Sequence, residues 1–295
     1  MSILGIFNGY ILVSDMDGTL INGERKISKD DRDAIEYFTQ NGGLFTIATG
    51  RMLPSANRFA KELNLSLPII LYNGSKVYDY SKDEVVLEYS LEEERKEVIN
   101  KLLQDRDDIG IEVYSEETIY IFKSCKYTDR FTKLGYDVIY DIDKDVWNKK
   151  WTKILIVGDK DTIDYLEDNF KEKYDSEIPI RSGDKYLEVV HKYTSKGQAL
   201  KDLIKKYELN KFKLVTVGDN MNDKELIEEA HYGFVVKNGN ERLLKLANYI
   251  APSNNDSPIS YIVKFIENNI IIFKIIDLFN WITLFSNNIN YLNAT

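Results

Sequence analysis

The chain has 295 residues, 43% hydrophobic and 29% charged, with a formal net charge of −9 at pH 7. This length suits one large or two ordinary domains, and the apolar fraction is that of a folded chain. The acidic balance excludes a general nucleic-acid binder, and the single cysteine, Cys125, excludes an intrachain disulfide and points to a reducing, cytoplasmic setting.

The first residues, MSILGIFNGYILVSD, lack the basic start and small-residue cleavage pattern of a signal peptide. YILVS (10–14) reads as a buried strand. Ser28 caps a helical segment, KDDRDAIEYFTQ, that stops at Gly42-Gly43. LFTIA (44–48) is the next strand, and Pro54 opens a helical pattern carrying Ala60, Leu63 and Leu65. PIILY (68–72) is a third strand. This β-α-β-α-β alternation predicts a parallel sheet with helices on both faces.

The pattern changes after about Asp79. VVLEY, a helix from Leu91 to about Arg106, IGIEVYS, ETIYIFK, a helical piece near Tyr127–Leu134, KILIVGD, a helix near Thr162–Lys173 and YLEVVHK follow. The IEVYS-EE-TIYIF stretch alternates like an antiparallel hairpin. The parallel pattern then resumes with SKGQALKDLIKKYEL, LVTVGDN, NDKELIEEA and GFVV. The fold class expected is α/β, a Rossmann-like parallel-sheet core with an inserted α+β cap domain. Residues 1–82 and 187–269 form the core, 83–186 the cap and 270–295 an apolar C-terminal extension. The cap should move on linkers near Asp79–Glu84 and Asp184–His191.

Four strands end in polar residues: Asp15-Met16-Asp17-Gly18-Thr19, Thr49-Gly50-Arg51, Asn73-Gly74 and Gly218-Asp219-Asn220-Met221-Asn222-Asp223. In an open parallel sheet the carboxyl ends of the strands form the ligand crevice. Asp15, Asp17, Asp219 and Asp223 would therefore share one edge, where they repel one another unless a cation compensates. The two histidines, His191 and His231, exclude a histidine-rich zinc cage, so hard oxygen ligands point to Mg²⁺. Each motif alone could be a turn or a helix cap; all of them, each just after a strand, make a site. Lys196 adds to this. Ser195 and Gln198 fit a capping box, which puts the lysine at the positive end of a helix dipole, where a cation is disfavoured unless it meets an anion or a carboxylate cluster.

These residues resemble the haloacid dehalogenase-like hydrolase superfamily: DMDGTL (15–20), ATGR (48–51), the lysine of YTSKG (193–197) and GDNMND (218–223) look like its four motifs in order. Asp15 and Thr49 are only 34 positions apart, against 147 from Thr49 to Lys196, so the cap must lie in the second interval. That arrangement is similar to the Cof-type subfamily IIB phosphatases. One departure is His191-Lys192-Tyr193, where the family often has a proline and a glycine.

The resemblance implies a Mg²⁺-dependent phosphatase of small-molecule phosphate esters, such as sugar phosphates or phosphorylated cofactors, working through an aspartyl-phosphate. It makes Asp15 the nucleophile and Asp17 the general acid and base. Asp15, the backbone carbonyl of Asp17 and Asp219 would hold the metal, and Asp223 would orient metal-bound water. Thr49, the Gly50 amide, Lys196 and Asn222 would hold the phosphoryl oxygens. Arg51 receives a structural role rather than a direct hold on substrate, Asn73 a supporting role and His231 a structural one. A phosphomutase is the close alternative. A non-enzymatic phospho-accepting regulator is disfavoured, because it has no acid/base carboxylate two residues after its acceptor. No stretch reaches the ~20 apolar residues of a membrane span. Residues 270–285 come nearest, with 12 of 16 apolar and Lys274, Asp277, Asn280 and Thr283 at every third position. That helix should bury a broad apolar face against the core or, in a homodimer, a second copy.

Overall fold

The computed structural model describes residues 5–63, 65–133, 136 and 138–292. In chain order, β1 (Tyr10–Ser14) is followed by α1 (Lys29–Gln40), β2 (Leu44–Ile47), α2 (Leu53–Ala60), β3 (Ile69–Leu71), β4 (Lys76–Asp79) and β5 (Glu84–Glu88). Then come α3 (Val98–Asp105), β6 (Gly110–Ser115), β7 (Thr118–Lys123), β8 (Val138–Ile139), β9 (Lys153–Val157), α4 (Lys160–Lys173), β10 (Ile180–Gly183) and β11 (Tyr186–Val189). The chain closes with α5 (Lys196–Lys206), β12 (Lys213–Gly218), α6 (Lys224–Glu228), β13 (Tyr232–Val236), α7 (Glu241–Leu244), β14 (Tyr249–Ala251) and α8 (Pro258–Leu292).

The central sheet has the order β14-β13-β12-β1-β2 and is parallel throughout. Its strands are apolar on both faces, as burial by helices on both sides requires. Leu12, Phe45, Val215 and Phe234 pack with Ile35 and Phe38 of α1 and with Ile259, Ile262 and Ile266 of α8. Ile11, Val13 and Leu214 pack with Ala199, Leu200 and Leu203 of α5 and Leu226 of α6. Helix α1 starts where expected, with the Ser28 hydroxyl accepting from the Asp31 amide. It ends before Gly42, whose φ of +89° favours glycine.

A second sheet, β10-β11-β9-β6-β7-β8, is antiparallel apart from its β7–β8 edge. Period-2 alternation splits its side chains. Ile111, Val113, Ile154, Ile156, Leu187 and Val189 pack under α3 and α4 around Trp151. Tyr114, Lys153, Leu155, Tyr186 and Glu188 face the core across a cleft. This is the α+β cap on a Rossmann-like parallel core.

Several local expectations need correction. The run PIILY does not extend the parallel sheet as a full strand: β3 meets β2 through one bridge, Ala48 to Ile70, and otherwise pairs antiparallel with β4, which pairs with β5. The segment Asp79–Glu84 is thus the turn of a hairpin rather than a linker. The chain leaves the three-stranded sheet after Glu88 and the six-stranded sheet after Val189, so both switches lie a few residues beyond 82/83 and 186/187. Helix α2 stops at Ala60, because the Ser66 amide already donates to Phe45 O in β2. The helix expected from Leu91 begins as a 3-10 turn at Glu93, since the Leu91 amide donates to Trp151 O. The helical piece near Tyr127 is a 3-10 turn over Thr128–Lys133, and Leu134 lies outside the described residues.

The C-terminal helix is continuous from Pro258, so the expected boundary at 270 falls inside it. Its first turns are held by the core: Asp31 accepts from the Ser260 amide at 2.9 Å, and Ile259, Ile262, Val263, Ile266 and Ile270 are buried. Among the described side chains beyond Ile270, burial is partial, with Lys213 of β12 lying over the Phe273 ring at 5.5 Å. Ile271, Ile272, Phe273, Ile275 and Ile276 are 42–53% exposed. The side chains of Lys274, Asp277, Asn280 and Thr283 lie outside the described set. Among the described residues no helix is long and apolar enough to cross a membrane. An apolar surface of this kind favours association. Truncation after Asn269 is expected to leave catalysis intact and to reduce the solution mass of any oligomer, read by light scattering. An unchanged mass and melting temperature would show that the segment does neither job.

Candidate active site

The register of the central sheet assembles the site. Ser14 stands opposite Val217 of β12 and Ile47 of β2, so the loops after the three strands leave the sheet at one level. The Asp15 amide then donates to Val217 O, the Ala48 amide to Ser14 O and the Thr49 amide to Ile70 O, all at 2.8–2.9 Å. Asp15, Thr49 and Asp219 are therefore positioned by strand ends rather than by flexible side chains.

Lys196 lies at the start of α5, fully buried, and its Nζ donates to Asp15 Oδ1 and Asp223 Oδ1, both at 2.6 Å. A buried ammonium is tolerated only when paired. Two carboxylates more than offset its desolvation and hold its pKa above the ordinary lysine value. The Ser195 hydroxyl accepts from the Gln198 amide, as a capping box requires. The reciprocal half is absent, since the Gln198 side chain reaches Asp202 and the Ser195 hydroxyl donates to Glu225.

Asp223 has a larger structural part than the one expected for it. It is fully buried, and its Oδ2 accepts from the amides of Asp219 and Asn220 at 2.9 and 3.2 Å. This fixes the loop that presents Asp219, while Asn220 caps the turn Met221–Asp223. Ligand atoms of Asp15, Asp219 and Asp223 lie within 4.8 Å of one another. Burial first, and then mutual repulsion, push the Asp15 carboxyl up to about 7, with Lys196 pulling the other way. The Asp219 carboxyl rises to about 9 for the same two reasons. Asp15 Oδ2 is buried without a partner. An orphaned oxygen within a repelling, histidine-free oxygen cluster fits a divalent cation. Gly18 is required beside it: φ is +80°, and a Cβ there would come within 2.4 Å of Asp219 Oδ2.

Asp17 stands apart from that cluster. Its side chain is 57% exposed and takes a bidentate pair from Arg51, Nε to Oδ2 at 2.7 Å and Nη2 to Oδ1 at 2.6 Å. Fork-to-fork geometry of this kind fixes orientation as well as charge. The structural role expected for Arg51 is thus a direct hold on Asp17. Asn73 is also closer to the centre than expected. It is fully buried in the left-handed region (φ +54°), and its Oδ1 accepts from Asn222 Nδ2 at 3.0 Å. Asn73 Nδ2 and Asn222 Oδ1 have no partner. Thr49 is buried, with its hydroxyl accepting from the Arg51 amide at 3.2 Å. His231 is structural, its Nδ1 accepting from the Leu214 amide.

The structure brings Asp15, Asp17, Thr49, Gly50, Asp219 and Asn222 to the wall of one cleft of about 1010 Å³, with Lys196 and Asp223 behind it. The opposite wall is the cap, and its charged members were missed in the sequence. Lys153 Nζ donates to Glu188 at 2.9 Å and across the cleft to Gly50 O at 3.1 Å. Glu112, fully buried, pairs bidentately with Arg130 and accepts from the Tyr114 hydroxyl. Glu117, at the tip of the β6–β7 hairpin, accepts from Tyr72 OH and Lys76 Nζ of the core, both at 2.6 Å. One charge inside an apolar strand run, as in IGIEVYS, WTKILIV and YLEVV, was the available signal, because at period 2 it must face a polar cleft.

Comparisons with known proteins show what the whole chain resembles. A Streptococcus pyogenes protein with a provisional phosphatase name is 28% identical over 265 residues, 86% of this chain and 97% of its own length. A 5-amino-6-(5-phospho-D-ribitylamino)uracil phosphatase of Bacillus subtilis is 23% identical over 274 residues, covering 86% of this chain and 96% of its own. A Thermotoga maritima crystal structure superposes with a TM-score of 0.71 at 28% identity, over 86% of this chain and 96% of that one. The subclass IIB sugar phosphatase of Bacteroides thetaiotaomicron shares the fold, with a TM-score of 0.74 at 18% identity over 87% and 98% of the two chains. The sequence profile of the haloacid dehalogenase-like hydrolases matches residues 12–263, and the chain belongs to that family.

Proposed function

We propose that this hydrolase is a Mg²⁺-dependent phosphatase of small phosphate esters, with residues 83–186, extended a few positions at each end, as the substrate-enclosing cap. The observation that carries the reading is the Lys196–Asp15 pair with Asp15 Oδ2 left unpartnered beside Asp219. One oxygen of the carboxylate is neutralised and held, and the other is available for bonding.

Asp15 and Asp219, with the backbone carbonyl of Asp17, would hold Mg²⁺, which when bound supplies positive charge against the carboxylates and the substrate phosphate. Thr49, the Gly50 amide, Lys196 and Asn222 hold the phosphoryl oxygens, and Asn73 orients Asn222. Asp15 attacks phosphorus, forming an O–P bond as the bond to the leaving oxygen breaks. Asp17 gives its proton to that oxygen. Water then attacks the same phosphorus, Asp17 takes the water proton, and Asp15 is released as carboxylate. The fixed donors need no reorganisation as charge develops, which is where most of the acceleration arises. Because Arg51 occupies both carboxylate oxygens of Asp17, that grip must loosen before Asp17 can reach the leaving oxygen.

Asp17→Asn is expected to lower kcat by about 10²- to 10⁴-fold. The loss should be greater for an alkyl phosphate than for p-nitrophenyl phosphate in the first step, because nitrophenolate leaves without a proton. Equal losses in pre-steady-state phosphorylation of the two esters would contradict the acid role. The overall reading is tested by phosphate release over a panel of metabolite phosphates with Mg²⁺. Turnover of none of them, nor of p-nitrophenyl phosphate, would contradict it.

A further inference from the structure

Beside the catalytic cleft lies a second cavity of about 450 Å³, lined by Arg25, Lys26, Lys29, Arg32 and Arg58 against one carboxylate, Glu62. Five cations around one small cavity are unexpected on a chain of net charge −9. Three of them are engaged: Lys26 with Glu24 at 3.4 Å, Lys29 with Asp33 at 2.5 Å, and Arg32 Nη1 with Ile27 O at 2.6 Å. Arg25 and Arg58 have no carboxylate partner among the described residues. These two, with Asn22 and Phe59, line both cavities.

The connection to the chemistry is physical. Arg51, which holds Asp17, lies over the Phe59 ring at 4.9 Å, and Arg58 lies 5.5 Å from the same ring. The two guanidiniums are thus within the length of one small molecule. Arg25 sits on a loop that is already held in place. Its amide donates to Asn22 O, the Asn22 side chain accepts from the Glu24 and Lys26 amides, and Asn255 and Asn254 clasp Gly23 N and Ile21 O. Two unpaired guanidiniums at the junction of a phosphate site and a cation-lined cavity form a receptor for a second anion.

We infer that the substrate is a phosphomonoester whose far end carries a second anionic group, a carboxylate or another phosphate, read by Arg25 and Arg58. This rests on the phosphatase reading and narrows it. The second group is not cleaved; it lowers KM by holding the far end of the ester.

A matched pair tests it: 6-phosphogluconate and sorbitol 6-phosphate share a six-carbon open chain and differ in a terminal carboxylate or hydroxymethyl group. The wild type is expected to favour the carboxylate by about tenfold or more in kcat/KM, mainly through KM, and more at low salt. The Arg25→Gln/Arg58→Gln double variant should lose this preference and still turn over p-nitrophenyl phosphate as the wild type does. No preference in the wild type, or one that survives in the double variant, would overturn the inference. Absence of p-nitrophenyl phosphate turnover would instead count against the phosphatase reading. In that event, calorimetric affinities of Asp15→Asn protein for the two esters, with and without the double substitution, decide the matter without turnover.

Discussion

Asp15→Asn is expected to lower kcat by at least about 10⁴-fold while leaving the fold intact. The substitution keeps the side-chain shape and removes the carboxylate proposed to form the bond to phosphorus. Lys196 retains Asp223 as a buried partner, so the change does not strand an ammonium in the core. Lys196→Met is the instructive contrast. It leaves the buried carboxylates of Asp15 and Asp223 without their cation, and losing one side of a buried ion pair costs about 3–5 kcal/mol. It should therefore lose stability as well as activity. Thermal unfolding separates the two. An Asp15→Asn protein with near-wild-type turnover would remove Asp15 from the mechanism.

Metal removal should have the second largest effect. Chelator is expected to abolish turnover, and added Mg²⁺ to restore it. Stability supplies an independent readout. In the metal-free protein Asp15 and Asp219 stand at about 7 and about 9, both raised by burial and by their neighbours. A carboxyl raised on folding binds its proton more tightly when folded. Its stabilising contribution is therefore complete below the unfolded value and is lost as pH rises through the folded one. The metal-free melting temperature should accordingly fall between about pH 4 and pH 9. A cation takes the place of the proton, so Mg²⁺ should stabilise strongly at the alkaline end and little at the acid end. At about 100 times its dissociation constant it is worth about 2.7 kcal/mol, or roughly 4–5 °C for a protein of this size. Asp219→Asn should flatten both dependences. A melting temperature near pH 9 that does not respond to Mg²⁺, or full activity in excess chelator, would contradict the metal assignment.

Much of the core of this site was legible in the sequence, because the information is local. An apolar run of four or five residues that ends in Asp-x-Asp-Gly or Gly-Asp-Asn specifies a strand and the loop leaving its carboxyl end, and parallel pairing then brings such ends to one level. Lys196 was legible for a different reason: its position conflicts with the helix dipole, and the conflict is resolved by Asp15 and Asp223. Side-chain pairings set by loop geometry were not legible. Arg51 lies 34 positions from Asp17, and nothing in ATGR shows that its guanidinium turns to that carboxylate rather than to substrate. Asn73 required a left-handed backbone that sequence rarely announces for a non-glycine residue. The cap was read as strands and helices, but its two-residue strand β8 and the short β10 carry too few residues for a period to show. Its cleft-facing charges were visible only as interruptions of apolar runs. The apolar tail was read as a face to be buried; the described side chains beyond Ile270 are about half exposed, on a helix whose first turns are packed on the core.

The most direct test of the account is to trap the covalent intermediate. Protein turning over a phosphate ester with Mg²⁺ is quenched and reduced with borohydride, which converts an aspartyl-phosphate into homoserine, and the peptide containing residue 15 is sequenced by mass spectrometry. The account predicts homoserine at position 15 in wild-type protein, none in Asp15→Asn protein, and none when Mg²⁺ is chelated. Homoserine at another aspartate, or active turnover in which residue 15 is never modified, would contradict it.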